Sequence, residues 1–313
     1  MYPNGNHQPH KESAMPSQTE IRQSITTKII ESLKGGKLPW RKPWTGIEGP
    51  STPTNLVSKH KYSGVNTLLT LLAEMQHGWP VSYWATFNQF RQIGCHIRKG
   101  EKATTIVYWQ QIKKTVTDRN GDKQEKTIPF LKTWSVFNIS QADGEAVAQF
   151  NVKPELKTFE GVDRGEFDIT VAATQARIDH GNEIAAYLPL EDRIIMPDEG
   201  RFDSFSDFAA TTFHELSHWC QPQHRCNIQG SYAEGELFAE ISSSFLMSAT
   251  GIPHTLENTQ AYVQSWIQKL ENDPKFIFQA SSAASKSADF ILSFSRPQEE
   301  SDSDVEAGAV ISA

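Results

Sequence analysis

His214-Glu215-Leu216-Ser217-His218 is the stretch of this 313-residue sequence whose residue types and spacing specify chemistry most sharply. On a helix, positions i and i+4 share a face, so both imidazoles reach one metal ion. Glu215 then sits beside that metal, placed to hold a water and take its proton, and is the candidate catalytic residue. A zinc ion that works on a substrate takes three protein ligands and keeps a fourth position open. Two residues qualify as the third ligand. Glu236 follows His218 after 17 intervening residues and opens a second i, i+4 pair, Glu236 and Glu240. One carboxylate of such a pair binds the metal, and the other, one turn on, accepts the outer N–H of a ligating histidine. His224 is the alternative, because its distance from His218 also matches HExxHxxGxxH. That pattern needs Gly three residues after the second histidine, where this chain has Gln221 followed by Pro222. Glu236 is therefore preferred, with His224 as a loop residue. The expected cofactor is Zn2+, and the expected chemistry is metal-assisted attack of water on a carbonyl.

These side chains need helices beneath them. Phe205–Trp219 and Glu234–Ala249 read as helices, the second stopped by Gly251 and Pro253. Arg193–Met196 reads as a short strand over the first, with 193–197 placed to pair with an extended peptide. Asp168–Ala173 reads as another strand, and Gln260–Leu270 and Ala283–Phe294 as further helices. Upstream, Ile21, Ile25, Ile29, Ile30 and Leu33 recur at helical spacing until Gly35-Gly36. Leu68, Leu69, Leu71 and Leu72 mark a helix near 65–76. Thr86 caps another that runs to Ile93, with Gly94 past its end. Thr104–Gln111, Lys113–Thr117, Lys126–Phe130 and Thr133–Ile139 read as strands, with Asn120-Gly121 as a hairpin turn. The expected fold class is α+β with two domains, over 19–145 and 161–296. A linker, 146–160, joins them, and polar tails, 1–18 and 297–313, are expected to be disordered.

The net charge of −7 conceals an asymmetry. Residues 1–150 hold 19 Lys and Arg against 11 Asp and Glu, a net of +8, and residues 151–313 hold 11 against 26, a net of −15. A basic half attracts polyanions. No run of about 18 apolar residues exists, so no membrane partner is expected. The first 20 residues hold no apolar stretch of the kind a signal peptide needs. Three cysteines without a CxxC pair point to a reducing cytoplasm. The absence of GxxxxGK[ST] excludes a P-loop, and no carboxylate cluster suits a two-metal nuclease. The basic half also interleaves rings with cations, the mixture that single-strand binding uses, although about half of those rings belong in a core.

Several stretches carry a family resemblance. ITTKIIESLKGGKLPWRKPW (25–44), KYSGVN (61–66), WATFNQF (84–90), IRKGEKATTIVYW (97–109) and TWSVFNISQ (133–141) resemble the N-terminal single-stranded-DNA-binding domain of the ArdC antirestriction family. AAYLPLEDRIIMP (185–197), FHELSHW (213–219) and YAEGELFAEISSSFL (232–246) resemble that family's C-terminal, zincin-like metallopeptidase domain. The resemblance implies a plasmid- or phage-borne protein that helps incoming DNA survive host restriction. Its implied partners are single-stranded DNA and a protein or peptide substrate. The candidate DNA contacts are Trp40, Arg41, Lys42, Trp44, Tyr62, Asn66, Arg98, Lys99, Lys102 and Tyr108. Glu236 and Glu240 are also similar to the ExxAD-type helix of gluzincin peptidases, whose first acid is the ligand and whose second orients a histidine. The chain departs from the family at Gly235, where Glu is usual, and at Cys220-Gln221-Pro222, where Thr-Gly-His is usual. Tyr232 and His254 are candidate donors to the oxyanion. The competing reading is a DNA-coating protein whose zinc is structural.

Overall fold

Ser17 opens the first helix, α1 (Gln18–Lys34): its hydroxyl accepts the Glu20 N–H while the Glu20 carboxylate accepts the Ser17 N–H. This reciprocal cap starts the helix inside the tail expected over 1–18. The computed structural model describes residues 16–41, 50, 52–117, 123–148, 164–254 and 260–296. The rest of the expected tails, most of the expected linker and the Asn120-Gly121 turn lie outside them. α1 buries Ile21, Ile25, Ile29 and Leu33, one per turn along a single face. Helix α2 (Val65–His77) follows strand β1 (Thr54–Asn55) and ends at Gly78, whose φ of 67° is open to glycine at no cost. Strand β2 (Tyr83–Ala85) leads into α3 (Phe87–Gln92), capped by Thr86 as expected.

The four strands expected between 104 and 139 are two long ones. After β3 (His96–Ile97), β4 (Thr104–Thr117) and β5 (Lys123–Asn138) pair antiparallel from Thr104 opposite Val136 to Thr117 opposite Lys123. Pro129 lies within β5. β2 pairs with β5 only at Phe137 and Asn138, so near Pro129 one edge of β5 is unpaired among the described residues. An open edge is where a strand accommodates a residue without N–H. The sheet order is β1-β2-β5-β4. β3 pairs with β6 (Ala142–Asp143), and α4 (Glu145–Ala148) follows.

In the second half, the expected strand at Asp168–Ala173 is a helix, α5 (Gly165–Ala173). Its β-branched residues misled, because a short apolar run fits either period. Phe167, Thr170 and Val171 stand at i, i+3 and i+4 and turn inward together. Strands β7 (Arg177–Asp179), β8 (Ala186–Leu188) and β9 (Arg193–Ile195) form a sheet ordered β7-β9-β8. β9 has a partner on both sides. It cannot add a peptide strand as expected for 193–197; the outer edge beside the site belongs to β8. Helices α6 (Phe205–Trp219), α7 (Tyr232–Ala249), α8 (Gln260–Asn272) and α9 (Phe276–Ser293) follow among the described residues.

One core packs α6 against this sheet through Ile194, Met196, Phe208, Phe213 and Leu216. Another is shared by the two halves: Ile29, Leu33, Trp40, Leu68 and Leu72 bury against Leu237, Ile241, Trp266, Leu270 and Ile277. α1 packs on α8 and α2 on α9. The Thr26 hydroxyl donates to the Pro274 carbonyl at 2.8 Å, and the Gly64 N–H donates to Ser285 Oγ at 2.8 Å. Among the described residues, no helix is long and apolar enough to cross a membrane.

Candidate metal centre

Ser204 Oγ accepts the Asp207 N–H and starts α6, which carries His214 and His218 one turn apart. Their Nε2 atoms lie 3.1 Å from each other. α7 brings Glu236 to them, with Oε2 3.5 Å from His214 Nε2 and Oε1 3.6 Å from His218 Nε2. One donor atom from each of the three residues lies within 4.8 Å of the others. Two imidazole nitrogens and a carboxylate oxygen are a donor set that suits zinc with one position open. His224 stays on an exposed loop outside this group.

The register of the two helices is set by small polar residues. Ser217 Oγ donates to the Phe213 carbonyl at 2.7 Å and lies 2.9 Å from Ser242 Oγ, in the buried seam between α6 and α7. Ser243 Oγ donates to the Ala210 carbonyl at 2.8 Å. Satisfied hydroxyls at this seam resist sliding, because any shift would leave buried polar atoms unpaired.

The support of the ligands differs from expectation. Glu240, expected to hold a histidine, instead accepts at Oε1 from Arg41 Nε at 2.9 Å and from Trp40 Nε1 at 3.4 Å. The turn of α7 that carries it faces the N-terminal half, so its carboxylate has a guanidinium within closer reach. Gln221 Oε1 instead lies 3.0 Å from His218 Nδ1. A proton on Nδ1 then leaves the Nε2 lone pair for the metal. The signal for Gln221 was its position three residues beyond His218. Gly235 makes room for this amide: a Cβ there would meet Gln221 Nε2 at 3.3 Å.

Glu215 is 8% exposed, and its Oε2 accepts the Tyr187 N–H of β8 at 2.7 Å. Burial raises its pKa above the usual carboxylate range, against the pull of His214. Tyr187, a backbone donor invisible to motif reading, is itself anchored. Its hydroxyl donates to Asp192 Oδ1 at 2.9 Å, and Arg225 grips the Asp192 carboxylate at 2.9 and 2.6 Å. Burial opposes charge on His214, but the carboxylates of Glu236, Glu215 and Glu240 outweigh it and raise its pKa. Burial and the neighbouring His214 lower that of His218. These groups line a cleft of about 580 Å³, which Tyr232 and His254 also line. His254 is pushed down to about 3 by burial and by Arg41, so it stands there as a neutral ring.

Glu236→Ala is expected to weaken zinc binding at least tenfold, while His224→Ala leaves it unchanged. Titration against a chromophoric chelator measures both, and metal loss confined to the His224 variant would transfer the third ligand to that residue.

The candidate DNA contacts are dispersed by the fold. Trp40 is 0% exposed and Tyr62 is 7% exposed, so neither ring can stack on a base; contrary to expectation, both are core residues. Arg41 faces Glu240 in the metal cleft. The Asn66 amide is engaged by the backbone of Val107, accepting its N–H at 2.8 Å and donating to its carbonyl at 2.7 Å. Arg98 ties the loop before β4 to β6 through Glu101, Asp143 and the Ser140 carbonyl. Lys42 and Trp44 lie outside the described residues. Lys99 and Lys102 are exposed, and Tyr108 is half-buried with its ring 5.6 Å from that of Trp134. Trp134 and Trp79 border one cluster on that face of the hairpin, and His77 stacks on Trp79 at 4.4 Å. Burial decides which rings remain available, and composition does not report burial.

An HExxH helix whose two histidines meet a glutamate from the following helix, roofed by a short sheet, defines a zincin-like metallopeptidase domain. Residues 165–283 match zincin-like metallopeptidases, and residues 19–137 match the N-terminal domain of anti-restriction factor ArdC. The chain belongs to the ArdC family of antirestriction proteins. It is 33% identical to the metal-free crystal structure of the ArdC protein from the R388 plasmid, with a TM-score of 0.75 over 88% of this chain and 98% of that one. A Mn(II)-bound structure of that protein is 32% identical, with a TM-score of 0.71 over 89% of this chain and 99% of that one. DNA primase TraC of Escherichia coli is 36% identical over 301 residues, which is 89% of this chain and 27% of the primase. A second Escherichia coli TraC is 32% identical over 95% of this chain and 21% of its own length. The chain thus spans about a quarter of the length of these curated relatives. The zincin-like domain implies zinc, and His214, His218 and Glu236 fit it.

Proposed function

We propose that this is an antirestriction protein that binds single-stranded DNA and carries a zinc-dependent peptidase domain, protecting incoming mobile-element DNA. The observation that carries the peptidase reading is Glu215 held beside a three-donor group in an open cleft. A structural zinc would close its fourth position with a protein ligand, and among the described residues only three donors gather. His214, His218 and Glu236 hold the metal, which when bound acidifies a ligated water and stabilises negative charge on the carbonyl oxygen. Glu215 accepts the proton of the attacking water and returns it to the leaving amine. The Tyr187 N–H fixes one oxygen of that carboxylate and thereby the orientation of the other. A carboxyl whose pKa is raised by burial suits a group that must both take and release a proton. Tyr232 and the neutral His254 are the donors available to the oxyanion.

The DNA-binding reading is supported by the family, by the basic N-terminal half, by the exposed Lys99 and Lys102 and by the half-buried ring of Tyr108. The full chain is expected to bind a single-stranded oligonucleotide more tightly than the corresponding duplex. Affinity should fall with salt by a log–log slope of about −0.7 per phosphate contact, and Lys99→Ala with Lys102→Ala should flatten it. Tyr108→Ala should weaken binding by about 1–3 kcal/mol per base lost from the stack, with little change of slope. Fluorescence anisotropy at several salt concentrations reads all three, and a tighter grip on duplex would sink this reading. Metal analysis and a protease assay with and without single-stranded DNA test the two activities together.

A further inference from the structure

Residues 40 and 41 leave the N-terminal half and enter the wall of the metal cleft. Trp40 is fully buried and meets Trp266 of α8 edge-on, with ring centroids 5.8 Å apart. The Arg41 side chain is 11% exposed and lines the cleft that holds His214 and Glu236. Its Nε and one terminal nitrogen lie 2.9 and 2.8 Å from Glu240 Oε1, and the Trp40 indole donates to the same oxygen at 3.4 Å. Three N–H groups from two adjacent residues therefore converge on one carboxylate oxygen. That carboxylate stands one helical turn after Glu236, is itself 13% exposed, and contributes to the negative field at His214. A buried carboxylate without such donors would reorient to find others. That change would disturb the turn of α7 that presents the third ligand. Metal sites depend on such outer contacts: altering them costs about 10–100-fold in metal affinity or activity.

We propose that Arg41 is a positioning residue of the metal centre: with Trp40 it fixes Glu240, and through Glu240 the turn of α7 that offers Glu236, so the N-terminal half completes a site whose ligands all lie in the zincin-like half. The inference rests on the zinc reading above. It removes Arg41 from the DNA-contact set and gives it a role toward a metal ligand that lies 195 positions further along the chain.

The test uses the full chain and three readouts: zinc affinity by chelator competition, the visible spectrum of the Co(II)-substituted protein, and affinity for a single-stranded oligonucleotide. Arg41→Met is expected to weaken zinc at least tenfold and to alter the Co(II) bands, with oligonucleotide affinity unchanged within twofold. Arg41→Lys, which restores the charge but not the two-pronged grip, should fall between the two. Arg41→Met combined with Glu240→Gln should be no worse than the weaker-binding single variant, because both act through one contact. The double variant leaves no unpaired buried charge, so it also serves if Arg41→Met alone does not fold. Wild-type zinc affinity and Co(II) spectrum in the folded Arg41 variants would overturn the proposal, as would loss of oligonucleotide binding with the metal site intact. A wild-type chain that binds no zinc would fail the zinc reading and this inference together, whereas zinc-binding wild type with unaffected Arg41 variants fails the inference alone.

Discussion

Glu215→Gln is expected to retain zinc and the fold and to lose peptide hydrolysis by about 10²–10⁴-fold, the contribution of a positioned acid–base group. The substitution is close to isosteric, and an amide oxygen can still accept the Tyr187 N–H that Glu215 Oε2 now accepts at 2.7 Å. What the amide cannot do is accept the proton of an attacking water. The proposed ligand atoms belong to His214, His218 and Glu236, so metal content should match the wild type. Metal analysis and turnover of an unfolded protein substrate separate the two quantities. Hydrolysis at the wild-type rate would rule out the assigned role. An antirestriction assay on the same variant discriminates further: protection that survives the loss of hydrolysis favours the DNA-coating reading.

Residues 164–296 expressed without the first half are expected neither to melt cooperatively nor to bind zinc as the full chain does. The shared core is the reason. Ile29, Ile30, Leu33, Trp40, Leu68 and Leu72 are all buried against α7, α8 and α9. Removing them bares the faces carrying Leu237, Trp266, Leu270 and Ile277. Each large apolar side chain contributes about 1.5–3 kcal/mol when fully buried, and a domain's whole stability is about 5–15 kcal/mol, so the loss is of the order of the total. Trp40→Ala in the full chain samples the same interface more gently, with an expected cost of about 3–5 kcal/mol in denaturant unfolding. A fragment that melts at the full-chain temperature with full zinc affinity would show the halves to be energetically independent.

The elements that read correctly did so because their signals are local. The helix under His214 and His218 follows from spacing alone, since i and i+4 meet on any α-helix. α1 and α3 carry Ser and Thr caps with Glu and Gln three residues on, and those contacts form within one turn. Errors arose where a local pattern admitted two outcomes. DITVAA fits a strand as well as a helix until Phe167 and Val171 find a common core. RIIMP reads as a strand but carries no sign of being central to its sheet.

The two histidines of the HExxH helix, the candidate general base Glu215 and the family were legible in the sequence itself, because each rests on neighbours within a few residues or on a motif of fixed spacing, whereas Glu236 was set apart from His224 only when α7 packed on α6. What surrounds them was decided by tertiary structure. Trp40 and Tyr62 look like stacking platforms in composition and are core in fact, since burial depends on residues brought in from remote parts of the chain. Glu240 turned from a histidine to Arg41, and Gln221 took up His218, because hydrogen-bond partners are chosen by distance after the helices pack. Tyr187 orients Glu215 through a backbone N–H, a group that every non-proline residue has and that only the placement of β8 makes specific.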